Sequence, residues 1–115
     1  MTDLAPRDAE PVGSLRIRRA RDEHGVVLGL SGEIDLSSAP ELERELSEME
    51  NEKPGRILID LGNVSFMDST GLALMLRAQQ TAQANGHQLC LRPGSSQVQR
   101  LFEITGALDR FTFLA

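Results

Sequence analysis

The stretch Ile57-Leu58-Ile59-Asp60-Leu61-Gly62-Asn63-Val64-Ser65-Phe66-Met67-Asp68-Ser69-Thr70-Gly71-Leu72 decides how this chain folds. Pro54-Gly55 punctuates its start, and an unbroken apolar run bounded by turn signals reads as a strand buried on both faces. Asp68, Ser69 and Thr70 close the strand with side chains that can accept from the unpaired N–H groups of a following helix. That helix is written in Leu72, Leu74, Met75, Leu76, Ala78 and Ala82, an apolar surface wide enough to be buried on more than one side. The hydroxyls at its mouth admit two readings. One is capping alone, the ordinary use of Ser, Thr and Asp at a helix start. The other is a phosphorylation switch, because a phosphate on Ser69 would meet backbone N–H groups and the positive end of the helix dipole.

Upstream, residues 1–13 carry two prolines, three acidic residues and few large apolar ones, which predicts a flexible leader before a single domain over 14–115. Leu15-Arg16-Ile17-Arg18 alternates like a half-exposed strand, Asp22-Glu23-His24-Gly25 supplies a turn, and Val26 to Leu30 should pair back as a hairpin. Arg18, Arg19 and Arg21 are read as solvating an edge strand. Gly32-Glu33-Ile34-Asp35 closes the hairpin, and Ser38-Ala39-Pro40-Glu41 has the spacing of a capping box, with Glu41 reaching back to the Ser38 N–H. Leu42, Leu46 and Met49 then follow at helical spacing, with Glu41, Glu43, Arg44, Glu45 and Glu48 forming a solvated face.

Downstream, Asn85-Gly86 reads as a left-handed helix cap, Gln88 to Arg92 as a short strand, and Pro93-Gly94 as its end. Ser95 or Ser96 caps a third helix with Val98, Leu101 and Phe102 on one stripe; Gly106 terminates it, and Phe111 and Phe113 alternate in a last strand. Strands separated by helices predict an α/β fold: a mixed, mostly parallel central sheet flanked by helices, with the N-terminal hairpin as its antiparallel edge.

Composition narrows the chemistry. The chain has 115 residues, 40% of them hydrophobic, enough for one domain with a real core. It has no Trp or Tyr to stack on bases, so its four Phe residues are assigned to the core. A net charge of -5 excludes the basic footprint of a nucleic-acid binder. The lone Cys90, between Leu89 and Leu91, reads as a small buried side chain rather than a reactive thiol, and nothing demands an oxidising compartment. No segment is long and apolar enough to insert in a membrane, and no signal pattern opens the chain, so a cytoplasmic location is expected.

An enzyme is not indicated. His24 and His87 fall in turns, where a solvated imidazole is ordinary, and Asp68 beside Ser69 does not supply the base and orienter that an activated nucleophile needs. Gly94-Ser95-Ser96 lacks the spacing and Lys of a P-loop, leaving helix capping as its use. No metal-ligand spacing occurs, and no cofactor is called for.

Three motifs in order now carry a resemblance: Gly32-Glu33-Ile34-Asp35, Val64-Ser65-Phe66-Met67-Asp68-Ser69-Thr70-Gly71-Leu72, and Arg100-Leu101-Phe102-Glu103-Ile104-Thr105-Gly106. From about Leu15 to Leu114 the chain resembles the bacterial anti-sigma factor antagonists, single STAS domains. The resemblance implies a binding protein without catalytic activity. It places the phosphorylation site at Ser69, modified by an anti-sigma factor that is itself a serine kinase and restored by a PP2C-type phosphatase. The unphosphorylated form would capture the anti-sigma factor and free a sigma factor. The implied partner surface comprises Glu33, Asp35, Asp68, Ser69, Thr70, Gly71 and Leu72. Ala73 departs from a glycine common in the family, which would alter how closely a partner approaches the helix. The alternative within the same domain type is an accessory subunit of a lipid-transport ATPase or a stress-signalling scaffold, binding without modification of Ser69.

Overall fold

The computed structural model describes residues 14–114. The leader expected over residues 1–13 lies outside the described residues. β1 (Leu15–Asp22) and β2 (Gly25–Ile34) form the N-terminal hairpin; α1 (Ala39–Asn51), β3 (Arg56–Met67), α2 (Ser69–Asn85), β4 (Gln88–Arg92), α3 (Ser96–Ile104) and β5 (Thr112–Phe113) follow. The hairpin turns where expected, because Asp22 Oδ1 accepts from both His24 N–H and Gly25 N–H, at 2.8 and 2.9 Å.

The five strands lie side by side in chain order, β1-β2-β3-β4-β5. β1 is antiparallel to β2, and every later pairing is parallel. Each parallel step crosses over through one helix. Such crossovers are right-handed, and here the strand order always advances the same way, so all three helices arrive on one face of the sheet. The core is built there: Leu28, Ile59 and Leu91 stand in register across β2, β3 and β4 and join Leu42, Met75 and Phe102 in one cluster. Alternation along β3 sends Ile57, Ile59 and Leu61 into this cluster, whereas Leu58 and its register partner Cys90 are buried on the other face. The apolar run and the lone cysteine are thus both accounted for by strand geometry.

Several expectations are corrected. β2 runs four residues past Leu30, to Ile34. The last strand is only Thr112–Phe113, because a single 3-10 turn at Leu108–Arg110 precedes it and Phe111 sits buried in front of it. Phe102, Phe111 and Phe113 pack edge to face, with centroids 5.4 to 6.3 Å apart, but Phe66 is 41% exposed and is not core. Arg19 and Arg21 do not simply solvate an edge. Arg19 reaches Glu45 and Glu48 of α1 and Glu52 just past its C-terminus at 2.9, 3.3 and 3.0 Å, and Arg21 reaches Glu52 at 2.8 Å. Each such surface pair contributes about 0.2–1 kcal/mol, so the network orients the acidic helix face against β1 more than it stabilises the fold.

Candidate functional site

The sheet brings two of the sequence motifs together. β2 and β3 are parallel neighbours whose carboxyl ends coincide, with Ile34 opposite Met67 and Glu33 opposite Phe66. The Asp68 N–H donates to the Ile34 carbonyl at 3.1 Å, which clamps the loop after β2 to the mouth of α2. In parallel α/β sheets this end of the strands is where partners and ligands commonly dock.

On the α2 side the cap is Asp68 itself, in extended conformation, and not either hydroxyl. Its Oδ1 accepts from Thr70 N–H at 2.9 Å and Gly71 N–H at 3.3 Å. Ser69 is the first residue of the helix and is exposed, while Thr70 is half-buried. Of the backbone N–H groups at this helix mouth, those of Thr70 and Gly71 are therefore already held by a carboxylate. A phosphate there competes with Asp68 or projects outward, and local attraction is weaker than a bare helix mouth implies.

Gly71 and Leu72 turn inward. Leu72 is 6% exposed, and a Cβ on Gly71 would stand 2.6 Å from Met67 Cγ and 2.7 Å from Ile34 Cγ2. Of the expected partner-binding set, these two shape the surface from beneath; they do not present side chains on it. Ala73, by contrast, is exposed on the helix.

On the β2 side the expected capping box does not form. Ser38 has helical backbone angles and its side chain caps no helix N–H. Its Oγ instead donates to the Glu33 carbonyl at 2.9 Å and accepts from Asp35 N–H at 3.0 Å. Asp35 organises the turn: its Oδ1 accepts from Ser37 N–H, Ser37 Oγ–H and Ser38 N–H at 3.0, 2.8 and 3.1 Å. With the Ser38 N–H taken, Glu41 has nothing to reach for and remains exposed. The Ser37 hydroxyl, then the Ser38 N–H, hold the Asp35 carboxyl below its ordinary range, so it is ionised near neutral pH. Glu33 and Asp35 are both half-buried. Gly32, just before them, has φ of 110° and carries no Cβ because one would collide with the Ser14 carbonyl.

Two residues of this end escaped the sequence reading. Leu36 is 76% exposed between Asp35 and Ser37, and Phe66 is exposed opposite Glu33. No local pattern signalled Phe66: strict alternation from Val64 would turn it inward, whereas the buried positions are Val64 and Met67, three residues apart. Irregular pairing between β2 and β3, with shifts between Gly29 and Ser31 and between Gly32 and Glu33, turns Phe66 outward.

The remaining candidates stand elsewhere. His24 is exposed beside Glu23 at 3.4 Å. His87, expected in solvent, is half-buried with an unpartnered Nε2, and burial pushes its pKa down. Ser95 caps α3, accepting from Val98 N–H at 3.3 Å.

Residues 16–115 match the STAS domain family model, and the chain belongs to that family. It is 35% identical to the anti-sigma-B factor antagonist of Staphylococcus aureus (strain NCTC 8325 / PS 47) over 96 residues, 84% of this chain and 89% of the relative. The Staphylococcus epidermidis anti-sigma-B factor antagonist is 39% identical over 80 residues, 70% of this chain and 74% of that one. Within the family the chain is therefore a relative of anti-sigma factor antagonists, which are regulatory binding proteins. Its fold superposes on the crystal structure of an anti-sigma factor antagonist from Mycobacterium paratuberculosis with a TM-score of 0.80 at 24% identity, over 90% of this chain and 88% of that one. It also superposes on the anti-sigma factor antagonist SpoIIAA in its unphosphorylated form, with a TM-score of 0.74 at 22% identity, over 87% and 89%. Among the described residues no helix is long and apolar enough to cross a membrane.

Proposed function

We propose that this protein is an anti-sigma factor antagonist that works by partner switching in the cytoplasm. The unphosphorylated form captures an anti-sigma factor serine kinase and so frees a sigma factor. The kinase transfers the γ-phosphoryl group of ATP to Ser69 Oγ, whose proton passes to a kinase base as ADP leaves. The phosphorylated form no longer binds, and a PP2C-type phosphatase restores capture. The observation that carries this reading is the exposed Ser69 at the first position of a capped helix, clamped beside Glu33 and Asp35 by the Asp68–Ile34 hydrogen bond.

Charge explains how such a switch turns binding off without refolding the domain. A phosphoserine adds about -1.5 to -2 charges near neutral pH. In solution, helix-dipole attraction of about 0.3–1 kcal/mol is opposed by repulsion from Asp68, so the free protein changes little. At a packed interface the same group is desolvated and unpaired, at several kcal/mol, and each 1.4 kcal/mol is about tenfold in affinity. Capture should fall by about two orders of magnitude or more. Glu33, Asp35, Asp68 and Thr70 surround the acceptor on the proposed surface, with Gly71 and Leu72 supporting it.

The test is to mix the protein with candidate anti-sigma kinases and ATP and to follow intact mass, circular dichroism, melting temperature and partner affinity. One added phosphate that abolishes capture and leaves the fold unchanged is the expected result. Phosphoprotein that binds as tightly as the unmodified chain, or that loses binding only by unfolding, contradicts the mechanism.

A further inference from the structure

Among the described residues, three large hydrophobic side chains are exposed: Leu36 at 76%, Phe66 at 41% and Ile104 at 72%. Two of these flank the clamp between β2 and α2. Leu36 lies two residues beyond Ile34, and Phe66 two before Asp68, the pair joined by the 3.1 Å backbone hydrogen bond. Two residues span at most about 7 Å, so both lie within about 15 Å of Ser69 along either arm of the clamp. A standard interface covers about 800 Å² per partner, a disc of roughly 16 Å radius, so a partner centred on Ser69 covers both.

Both side chains are also held ready. Leu36 rides on a loop whose flanking residues are fixed by the three bonds to Asp35 Oδ1, and Phe66 stands on a strand paired with β2. Holding a side chain in place before binding removes part of the ordering cost of association. Around them stand the carboxylates of Glu33, Asp35 and Asp68, so apolar anchors sit within an acidic surround, the arrangement of a hot spot with a polar rim.

We infer that Leu36 and Phe66 are the apolar anchors by which the anti-sigma kinase seats over Ser69, and that its matching face is an apolar pocket rimmed by basic side chains. This inference rests on the proposed partner switch. The anchors determine which partner is captured; Ser69 determines whether it is captured.

The experiment compares wild type with Leu36→Ser, Phe66→Thr, Leu36→Met, Phe66→Tyr and Ile104→Ser, each checked for fold by circular dichroism. Affinity for the kinase and the rate of Ser69 phosphorylation are both measured. Leu36→Ser should weaken binding about tenfold and Phe66→Thr about thirtyfold, with KM for phosphorylation rising and kcat unchanged. Leu36→Met and Phe66→Tyr should stay within about threefold of wild type. Ile104→Ser should bind as wild type, because α3 starts from the carboxyl end of β4 and runs back toward the amino ends of the parallel strands, carrying Ile104 away from Ser69. A kinase that binds wild type and both polar variants equally removes the anchors and leaves the switch standing. Equal loss from Ile104→Ser also overturns the inference. Wild-type protein that no anti-sigma kinase binds or modifies removes the switch itself, and this surface's occupant with it.

Discussion

The mouths of α2 and α3 share an outline. Each follows a parallel strand, each is capped by a side-chain oxygen, and each begins with an exposed serine, Ser69 in one and Ser96 in the other. Their surroundings differ. The α2 mouth is capped by a carboxylate, is tied to the neighbouring strand end through the Ile34 carbonyl, and adjoins Glu33, Asp35, Leu36 and Phe66. The α3 mouth is capped by the Ser95 hydroxyl and braced by Gln99, whose Oε1 accepts from Gly94 N–H at 2.9 Å. A serine at a helix start is thus common stock; what distinguishes Ser69 is the pair of converging strand ends beneath it and the surface they present.

The sharpest way to break that comparison is modification itself. Ser69→Ala should abolish phosphate addition by the cognate kinase, whereas Ser96→Ala should leave it at wild-type level, as read by intact mass and peptide mapping. Phosphate on Ser96 to a similar extent, or on the Ser69→Ala variant, would show that helix-mouth exposure alone selects the acceptor.

Packing beneath the two mouths gives the next largest effect. A methyl on Gly71 must displace Met67 Cγ at 2.6 Å and the β-branched Ile34 Cγ2 at 2.7 Å. Gly71→Ala should cost about 1–3 kcal/mol in denaturant unfolding, since overpacking a filled core forces side chains from their rotamers. At Gly94 the nearest atoms, Val98 Cγ1 and Cβ, stand at 2.9 and 3.0 Å, so Gly94→Ala should cost less. The reverse order would mean that the α2 mouth is the more yielding of the two.

How much of this was legible in the sequence follows from the range of each signal. The β3–α2 unit, the Asp22 turn, the Ser95 cap and Gly86, whose φ is 81°, are set by residues a few positions apart, and propensity reads them directly. The grouping of Glu33 and Asp35 with Ser69 came with the family resemblance, and the parallel pairing of β2 with β3 brings these two strand ends side by side. What depended on partners far along the chain was lost. Arg19 and Glu45 are 26 residues apart, and no local pattern announces their pairing. The outward turn of Phe66 depends on register shifts between two strands. The capping box failed for a subtler reason: Ser38 and Asp35 compete for the same turn, and an ionised carboxylate makes the stronger hydrogen bonds.

The caps themselves refine the comparison. Asp68→Ala removes an acceptor of two N–H groups and a charge that complements the helix dipole, and should cost about 1–2 kcal/mol. Ser95→Ala removes one bond at 3.3 Å and should cost about 0.5 kcal/mol. Equal losses in chemical denaturation would deny the α2 mouth its stronger anchoring.

The smallest effect separates the two mouths by pH. Asp35, in the loop clamped to α2, has its carboxyl held below the ordinary range by the Ser37 hydroxyl and the Ser38 N–H. The folded chain therefore binds that proton less tightly than the unfolded chain does, and stability rises with pH where the unfolded carboxyl is still titrating. The contribution is fully present above the unfolded value of about 3.9 and is lost as pH falls through the depressed folded value. Asp35→Asn keeps the shape but not the charge, so its melting temperature should lie slightly below wild type at pH 7, with the gap closing below about pH 4. The Ser95 cap of α3 carries no titratable group, and the deficit of Ser95→Ala should stay constant over the same range. An Asp35→Asn deficit that is equally flat would mean that the loop is held by its serines and backbone rather than by the ionised carboxylate, and that the acidic border of the Ser69 surface has no part in shaping it.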